Sequence, residues 1–313
     1  MRRREVIAAL AAAAWPQRAR AQQGRRVVLF VTPFRILPSA TLDILRQSMA
    51  DFGRVESQDI AVEAIFDPRE VPGALSKQKV DVIFASGPES VRAAAQTTRT
   101  IPIVAFDLET DPVEAGYVAS FARPGGNITG LFLDQPELAG KWIQLIQQVA
   151  PQVKRVAAVW DPGTGESQRK AIDAAAAQLG LQLFVVEMRP DLKAVVAEAR
   201  TSGAQALVFL SSPRISRQVS PLAELALGAG LPAVALFPEF ARAGGLLSYG
   251  PSVMALRQRG AEYVTKILKG QAPAEIPVER PSAYGLIVNL RTASELRLVI
   301  PPIMLQIADE VIE

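Results

Sequence analysis

From residue 26 onward, short runs of β-branched and other apolar residues alternate with longer stretches of helical period. Runs at 27–31, 60–66, 80–85 and 103–106 read as strands, and the stretches at 40–52, 70–78 and 89–98 read as helices. The strand runs are nearly continuous in apolar residues instead of alternating with polar ones. That is the pattern of parallel strands covered on both faces, so the first part of the chain predicts a doubly wound α/β unit.

The stretch Arg123-Pro124-Gly125-Gly126-Asn127-Ile128-Thr129-Gly130 is dense in chain breakers, and the alternation restarts after it. It reads as a crossing to a second lobe. Helices are expected at 136–149, 166–179, 191–200 and 215–229, with strands at 156–160, 182–186, 206–210 and 233–236. A second glycine-rich stretch, 244–251, precedes an amphipathic helix at 253–269, stopped by Gly270. A proline-rich connector at 271–281 leads to a last strand at 285–288 and helical segments at 291–297 and 302–311. Three separate crossings predict two lobes interleaved in sequence, with a cleft between them.

Composition narrows the chemistry. The chain has no His and no Cys, which removes Ser-His-Asp and Cys-His nucleophiles, His general bases, haem ligation and nearly all zinc sites. No catalytic, metal or cofactor site is expected. Neither a Gly-x-Gly-x-x-Gly after the first strand, nor a Walker loop, nor a nucleophile elbow is found.

The net charge of +3 resides in the N-terminus. Residues 1–21 carry five arginines against one acid, and removing them leaves 29 basic and 30 acidic residues. Nucleic-acid binding by bulk electrostatics is therefore not expected. Those 21 residues have the parts of a cleavable export signal: basic Met1-Arg2-Arg3-Arg4, an apolar run at 6–15, and Ala19-Arg20-Ala21 ahead of Gln22. Arg3-Arg4-Glu5-Val6-Ile7 also resembles a twin-arginine signal. The apolar run is too short to span a bilayer, which takes about 20 helical residues.

In open α/β sheets the ligand crevice lies beyond the carboxyl ends of the strands. That rule selects Thr32, Ser86, Gly87, Glu89, Ser90, Asp107 and Asp111 in lobe one, and Trp160, Asp161, Ser211 and Phe237 in lobe two, with Tyr249 at the second crossing. Ser86-Gly87-Pro88 opens a helix, whose unpaired N–H groups either hold a carboxylate or phosphate or are simply capped, with Glu89 complementing the dipole. Asp107 and Asp111 either pair with a ligand ammonium or cap turns. Trp160 stacks on a ligand or joins the core, while Asp161 caps the next helix. Ser211-Ser212-Pro213 either donates to the cleft or caps.

The stretch 122–130, Ser248-Tyr249-Gly250-Pro251 running into Arg259-Gly260-Ala261-Glu262-Tyr263-Val264, and the tail Leu286-Ile287-Val288-Asn289 with Ile300-Pro301-Pro302 carry a resemblance. Together with the leader they make the chain similar to ABC-transporter substrate-binding proteins with a periplasmic-binding-protein class I fold. The resemblance implies lobe one at 25–128 plus 251–280 and lobe two at 130–247 plus 282–313, closing by a hinge on a small solute. It further implies a periplasmic, monomeric receptor serving the membrane permease of an importer. The resemblance does not supply the solute; the cleft candidates suit an amino acid or related amine, with its carboxylate near 86–90 and its ammonium near Asp107 or Asp161, and also suit a small organic acid or a polyol. The alternative is a carboxylate-based hydrolase on a similar scaffold, with Glu89 and Asp107 as the acid pair. A DNA-binding regulator of the same fold ranks last, because it needs an N-terminal helix pair where this chain has its leader.

Overall fold

The computed structural model describes residues 25–33, 38–51, 53, 60–133 and 135–313. The export signal expected at residues 1–21 therefore lies outside the described residues. Lobe one is built on a parallel sheet of β1 (Arg26–Val31), β2 (Ile60–Ile65), β3 (Val82–Ser86), β4 (Ile103–Asp107) and β5 (Ile128–Phe132), ordered β2-β1-β3-β4-β5. Its helices are α1 (Pro38–Asp51), α2 (Val71–Lys77) and α3 (Pro88–Thr97). β4 and β5 are buried along their whole length, as their unbroken apolar runs require.

Lobe two begins with α4 (Gln135–Val149), followed by β6 (Arg155–Trp160), α5 (Ser167–Gln178), β7 (Gln182–Glu187), α6 (Leu192–Thr201) and β8 (Ala206–Phe209). After these come α7 (Pro213–Ser216), α8 (Val219–Gly228), β9 (Ala233–Ala235), α9 (Pro238–Arg242) and β10 (Leu247–Pro251). The chain then returns to lobe one as α10 (Val253–Leu268), which packs on α1, β3 and β4. It ends in lobe two with β11 (Tyr284–Asn289), α11 (Leu290–Glu295), α12 (Pro302–Ile307) and β12 (Glu310–Ile312). The second sheet runs β12-β11-β10-β9-β8-β6-β7, parallel except for the β10–β11 pair. The fold is thus two parallel-sheet α/β lobes with strand carboxyl ends facing a shared cleft.

Several elements differ from the expectation drawn from sequence. The breaker-rich stretch 123–130 does not leave the first sheet; it leads into β5, paired with β4 from Ile103↔Ile128 to Asp107↔Phe132. Gly130 weakens the strand signal there, yet a Cβ at that position would lie 2.0 Å from the Ala105 carbonyl oxygen, so the close pairing requires glycine. Gly250 plays the same part in β10, where a Cβ would sit 2.2 Å from the Leu236 oxygen. The single helix expected at 215–229 is two, α7 and α8, because Pro221 fits only the first turn of a new helix. The tail expected as helix to 311 ends in the edge strand β12, which pairs with β11.

The core is continuous from one lobe toward the other. Phe30, Phe84 and Phe106 stack in lobe one at 5.7 and 6.5 Å, in the same apolar cluster as Trp142 and Val234 of lobe two. At the second crossing, the Trp142 indole N–H donates to the Tyr249 carbonyl at 2.8 Å. No helix among the described residues is long and apolar enough to cross a membrane.

Candidate functional site

The lobe-one wall is made by the ends of β3 and β4. Register pairs Ser86 with Phe106, and the Gly87 N–H donates to the Phe106 carbonyl at 2.8 Å, so the start of α3 and Asp107 lie side by side. Gly87, not Ser86, is the N-cap of α3; its φ of +86° suits glycine, and no side chain caps the helix. Pro88 has no N–H, and helix geometry leaves the Glu89 and Ser90 amides without intrahelical acceptors. Ser90 is fully buried and its Oγ has no hydrogen-bond partner. Glu89 is exposed on the first turn.

Asp107 is also fully buried. Its Oδ1 accepts from the Glu109 and Thr110 amides at 3.0 and 3.1 Å, while its Oδ2 accepts nothing. Glu109, 4% exposed, follows Asp107 in the same turn and accepts from Ser211 Oγ at 2.6 Å. Burial, and then the neighbouring Asp107 charge, push the Glu109 carboxyl up to about 8. Burial raises Asp107 as well, against the pull of the Thr110 and backbone hydrogen bonds and of Arg92. Tyr117 is raised by burial and by the Asp107 charge. Two acids in one dry place with an unmet acceptor are short of a cation.

The lobe-two wall is different. Asp161, 3% exposed, caps the turn Pro162–Thr164 through the Gly163 amide at 3.0 Å and accepts from Ser212 Oγ at 2.9 Å. Arg214 lies 3.7 Å away. Ser212 caps α7 by accepting from the Arg214 and Ile215 amides. Trp160 packs half-buried on the core, donates its indole N–H to Gly165 at 2.9 Å and lies under the Arg169 guanidinium. Gln168, 1% exposed, donates to the Ser211 carbonyl at 2.7 Å and leaves its Oε1 without a partner.

The lobes meet across the cleft. Besides Ser211–Glu109, Lys170 pairs with Glu114, Ser167 Oγ donates to Glu114 at 3.2 Å, and Arg217 donates to the Pro33 carbonyl at 3.2 Å. A Cβ on Gly87 would lie 3.8 Å from Pro213 Cγ. A cavity of about 450 Å³ opens beside these contacts, with Arg92, Asp111 and Tyr117 on one side and Thr164 and Ser167 on the other.

The remaining candidates divide. Asp111 Oδ1 accepts from the Val113 and Glu114 amides at 2.8 and 2.9 Å, a turn cap on the cavity wall. Thr32 is buried, its N–H donating to Ile65 at 3.0 Å, and Ser86 is half-buried beside the pair. Tyr249 stacks on Tyr284 at 5.7 Å with Lys141 5.7 Å from its ring centroid, and Phe237 packs against the core. Glu109 and Gln168 were not singled out from sequence. Glu109 lies two residues past a strand end, within the span the carboxyl-end rule covers; Gln168 sits inside a helix and gives no such signal. Of the acid pair expected for a hydrolase, Glu89 is exposed and Asp107 is fully buried.

Two interleaved parallel-sheet lobes with their strand ends across a cleft define a two-lobed binding fold. Residues 70–312 match the family model described as ABC transporter substrate binding protein, and the chain belongs to that family. It is 24% identical over 263 residues to a tyrosine-binding protein of Clostridioides difficile, covering 80% of this chain and 74% of that one. Among solved structures, a conserved domain protein from Vibrio cholerae aligns with a TM-score of 0.81 at 22% identity, covering 92% of this chain and 99% of that one. An ABC domain in complex with L-Trp from Streptococcus pneumoniae aligns with a TM-score of 0.80 at 20% identity and the same coverage.

Proposed function

We propose that the protein is the solute receptor of an ABC importer, exported to the periplasm by its leader, by the general or the twin-arginine route, and acting there as a monomer that hands solute to a membrane permease. The solute is an amino acid or a close amine-bearing metabolite. The observation that carries this reading is a pair of buried, unmet polar atoms past the carboxyl ends of adjacent strands, Ser90 Oγ in the first turn of the uncapped α3 and Asp107 Oδ2 at the end of β4. An ammonium answers the carboxylate by a charge-assisted hydrogen bond, and a carboxylate answers the Glu89 and Ser90 amides. Asp161 is a poor second choice for the ammonium, because Gly163, Ser212 and Arg214 already answer it. The names of the tyrosine-binding relative and of the L-Trp complex support the same solute class. The reading makes closure of the lobes the binding event, since contacts from both lobes meet at Glu109.

The test is a thermal-shift screen of the chain from Gln22 onward, stripped of carried ligand by unfolding and refolding, against amino acids, organic acids, sugars and polyamines. A ligand at about 1,000 times its Kd adds roughly 4 kcal/mol of stability. Shifts confined to amino acids and amines are expected. Shifts confined to sugars or organic acids would overturn the solute class, and turnover of a ligand would overturn the receptor reading.

A further inference from the structure

We propose that in the empty, closed receptor a proton shared between Asp107 and Glu109 stands in for the cationic head of the solute, so that solute capture expels a proton. The inference rests on the solute reading above and adds a mechanism to it.

Asp107 and Glu109 share one turn, the Glu109 amide donating to Asp107 Oδ1 at 3.0 Å, inside a site where both side chains are at most 4% exposed. Like charges this close and this dry do not both ionise unless a cation joins them. The groups facing the pair supply little positive charge. From lobe one these are the Leu108, Glu109 and Thr110 amides, the Thr110 hydroxyl, the Tyr117 phenol and the exposed Arg92, whose charge bears on Asp107. From lobe two it is Ser211, a neutral hydroxyl. Yet Ser211 reaches Glu109 from across the cleft, so the closed arrangement itself sets this carboxyl in place. A proton on Glu109 lets it donate a hydrogen bond to Asp107; the solute ammonium then replaces that proton.

The sign follows from linkage. In the closed, empty state Glu109 is pushed up to about 8, while in an open, wetted cleft it returns to the ordinary carboxylate range near 4.3. Closure of the empty receptor thus takes up a proton between those values: it is favoured in acid and lost as pH rises toward 8. The proton and the solute compete for one place, so solute affinity weakens by up to about tenfold per pH unit below the midpoint.

Two measurements test this. In small-angle scattering of the stripped protein, wild type is expected to shrink as pH falls from about 9 to 6. Glu109→Gln, whose amide donates permanently to Asp107, is expected to stay compact throughout. A wild-type radius that does not change with pH overturns the proposal whether or not any solute is known. In calorimetry with L-tyrosine and L-tryptophan as probes, across buffers of different ionisation enthalpy near pH 7, wild type is expected to release close to one proton per solute, and Glu109→Gln, whose amide holds the place the ammonium must take, to bind at least about tenfold more weakly with no proton release. Wild-type binding without proton release overturns the proton exchange and leaves the amino-acid reading intact. Failure of both probes to bind counts against that reading, and the scattering result then decides the proton exchange alone.

Discussion

The two walls of the cleft are written in the same sequence grammar and do different things. Each carries Ser-x-Pro at a helix start, at or just past the end of a parallel strand, Ser86-Gly87-Pro88 in lobe one and Ser211-Ser212-Pro213 in lobe two, and each has an aspartate at or just past the end of a second strand. In lobe two the grammar closes on itself: Ser212 caps α7 and Asp161 caps its own turn and receives Ser212. In lobe one the middle residue is Gly87, which has no side chain to cap with, and Asp107 keeps one oxygen unmet. The lobe-two motif answers its own serine and aspartate and leaves over only the Gln168 Oε1 of the neighbouring helix, whereas the lobe-one motif leaves over its own aspartate oxygen and helix start, a place for something else to bind.

Asp107→Asn is expected to separate the walls most sharply. It keeps the shape, removes the charge and gives Glu109 an amide donor in place of a second acid. Amine-solute affinity should fall about 100-fold, roughly 3 kcal/mol, a loss typical of one partner in a buried charge-assisted pair. Thermal stability of the empty protein should hold or rise at pH 8. Calorimetry and melting of the same preparation check both; unchanged affinity would remove Asp107 from the site.

The mirror substitution, Asp161→Ala, should do the reverse. It takes the acceptor from Gly163 and Ser212 together, costing about 1–2 kcal/mol of stability, while solute affinity stays within about threefold. Ser212→Ala should lose about 1 kcal/mol for the α7 cap and leave affinity alone. A large affinity loss in either variant, without loss of stability, would mean that the lobe-two wall also binds solute directly.

Much of this was legible in the sequence, for identifiable reasons. Strands such as Val82–Ser86 and Ala206–Phe209 are buried on both faces, so their residues must be apolar throughout, and the pattern states it. β5 and β10 were hidden because each carries a glycine demanded by a close backbone contact, which reads locally as a breaker. The carboxyl-end rule reached Ser90, Asp107 and Ser211. What it could not give was which of two like motifs is self-satisfied, since that depends on Asp161 meeting Ser212 from 51 residues away. Nor could it couple Glu109 to Ser211, 102 residues apart and on opposite lobes.

Gly87→Ala sharpens the comparison at the N-cap. Its Cβ would make ordinary contact with Pro213, so the cost is the backbone alone, φ +86° and ψ 160°, a region essentially reserved for glycine, about 1–3 kcal/mol. If stability falls by much more, the cleft at this point is tighter than the contact distance allows.

Ser90→Ala has the smallest expected effect and the most specific one. A fully buried hydroxyl without a partner contributes nothing to the empty fold, so its removal should leave the melting temperature unchanged or slightly higher, unlike Ser212→Ala, where the hydroxyl is in use. Affinity should fall about threefold, near the low end of a single hydrogen bond's net worth. The loss should vanish for a solute lacking the carboxylate, because the Oγ lies beside the amides that would hold that group. An equal loss for amines with and without a carboxylate would instead place Ser90 against the ammonium. The α3 start would then be an unoccupied helix end, and the solute would be oriented the other way around in the cleft.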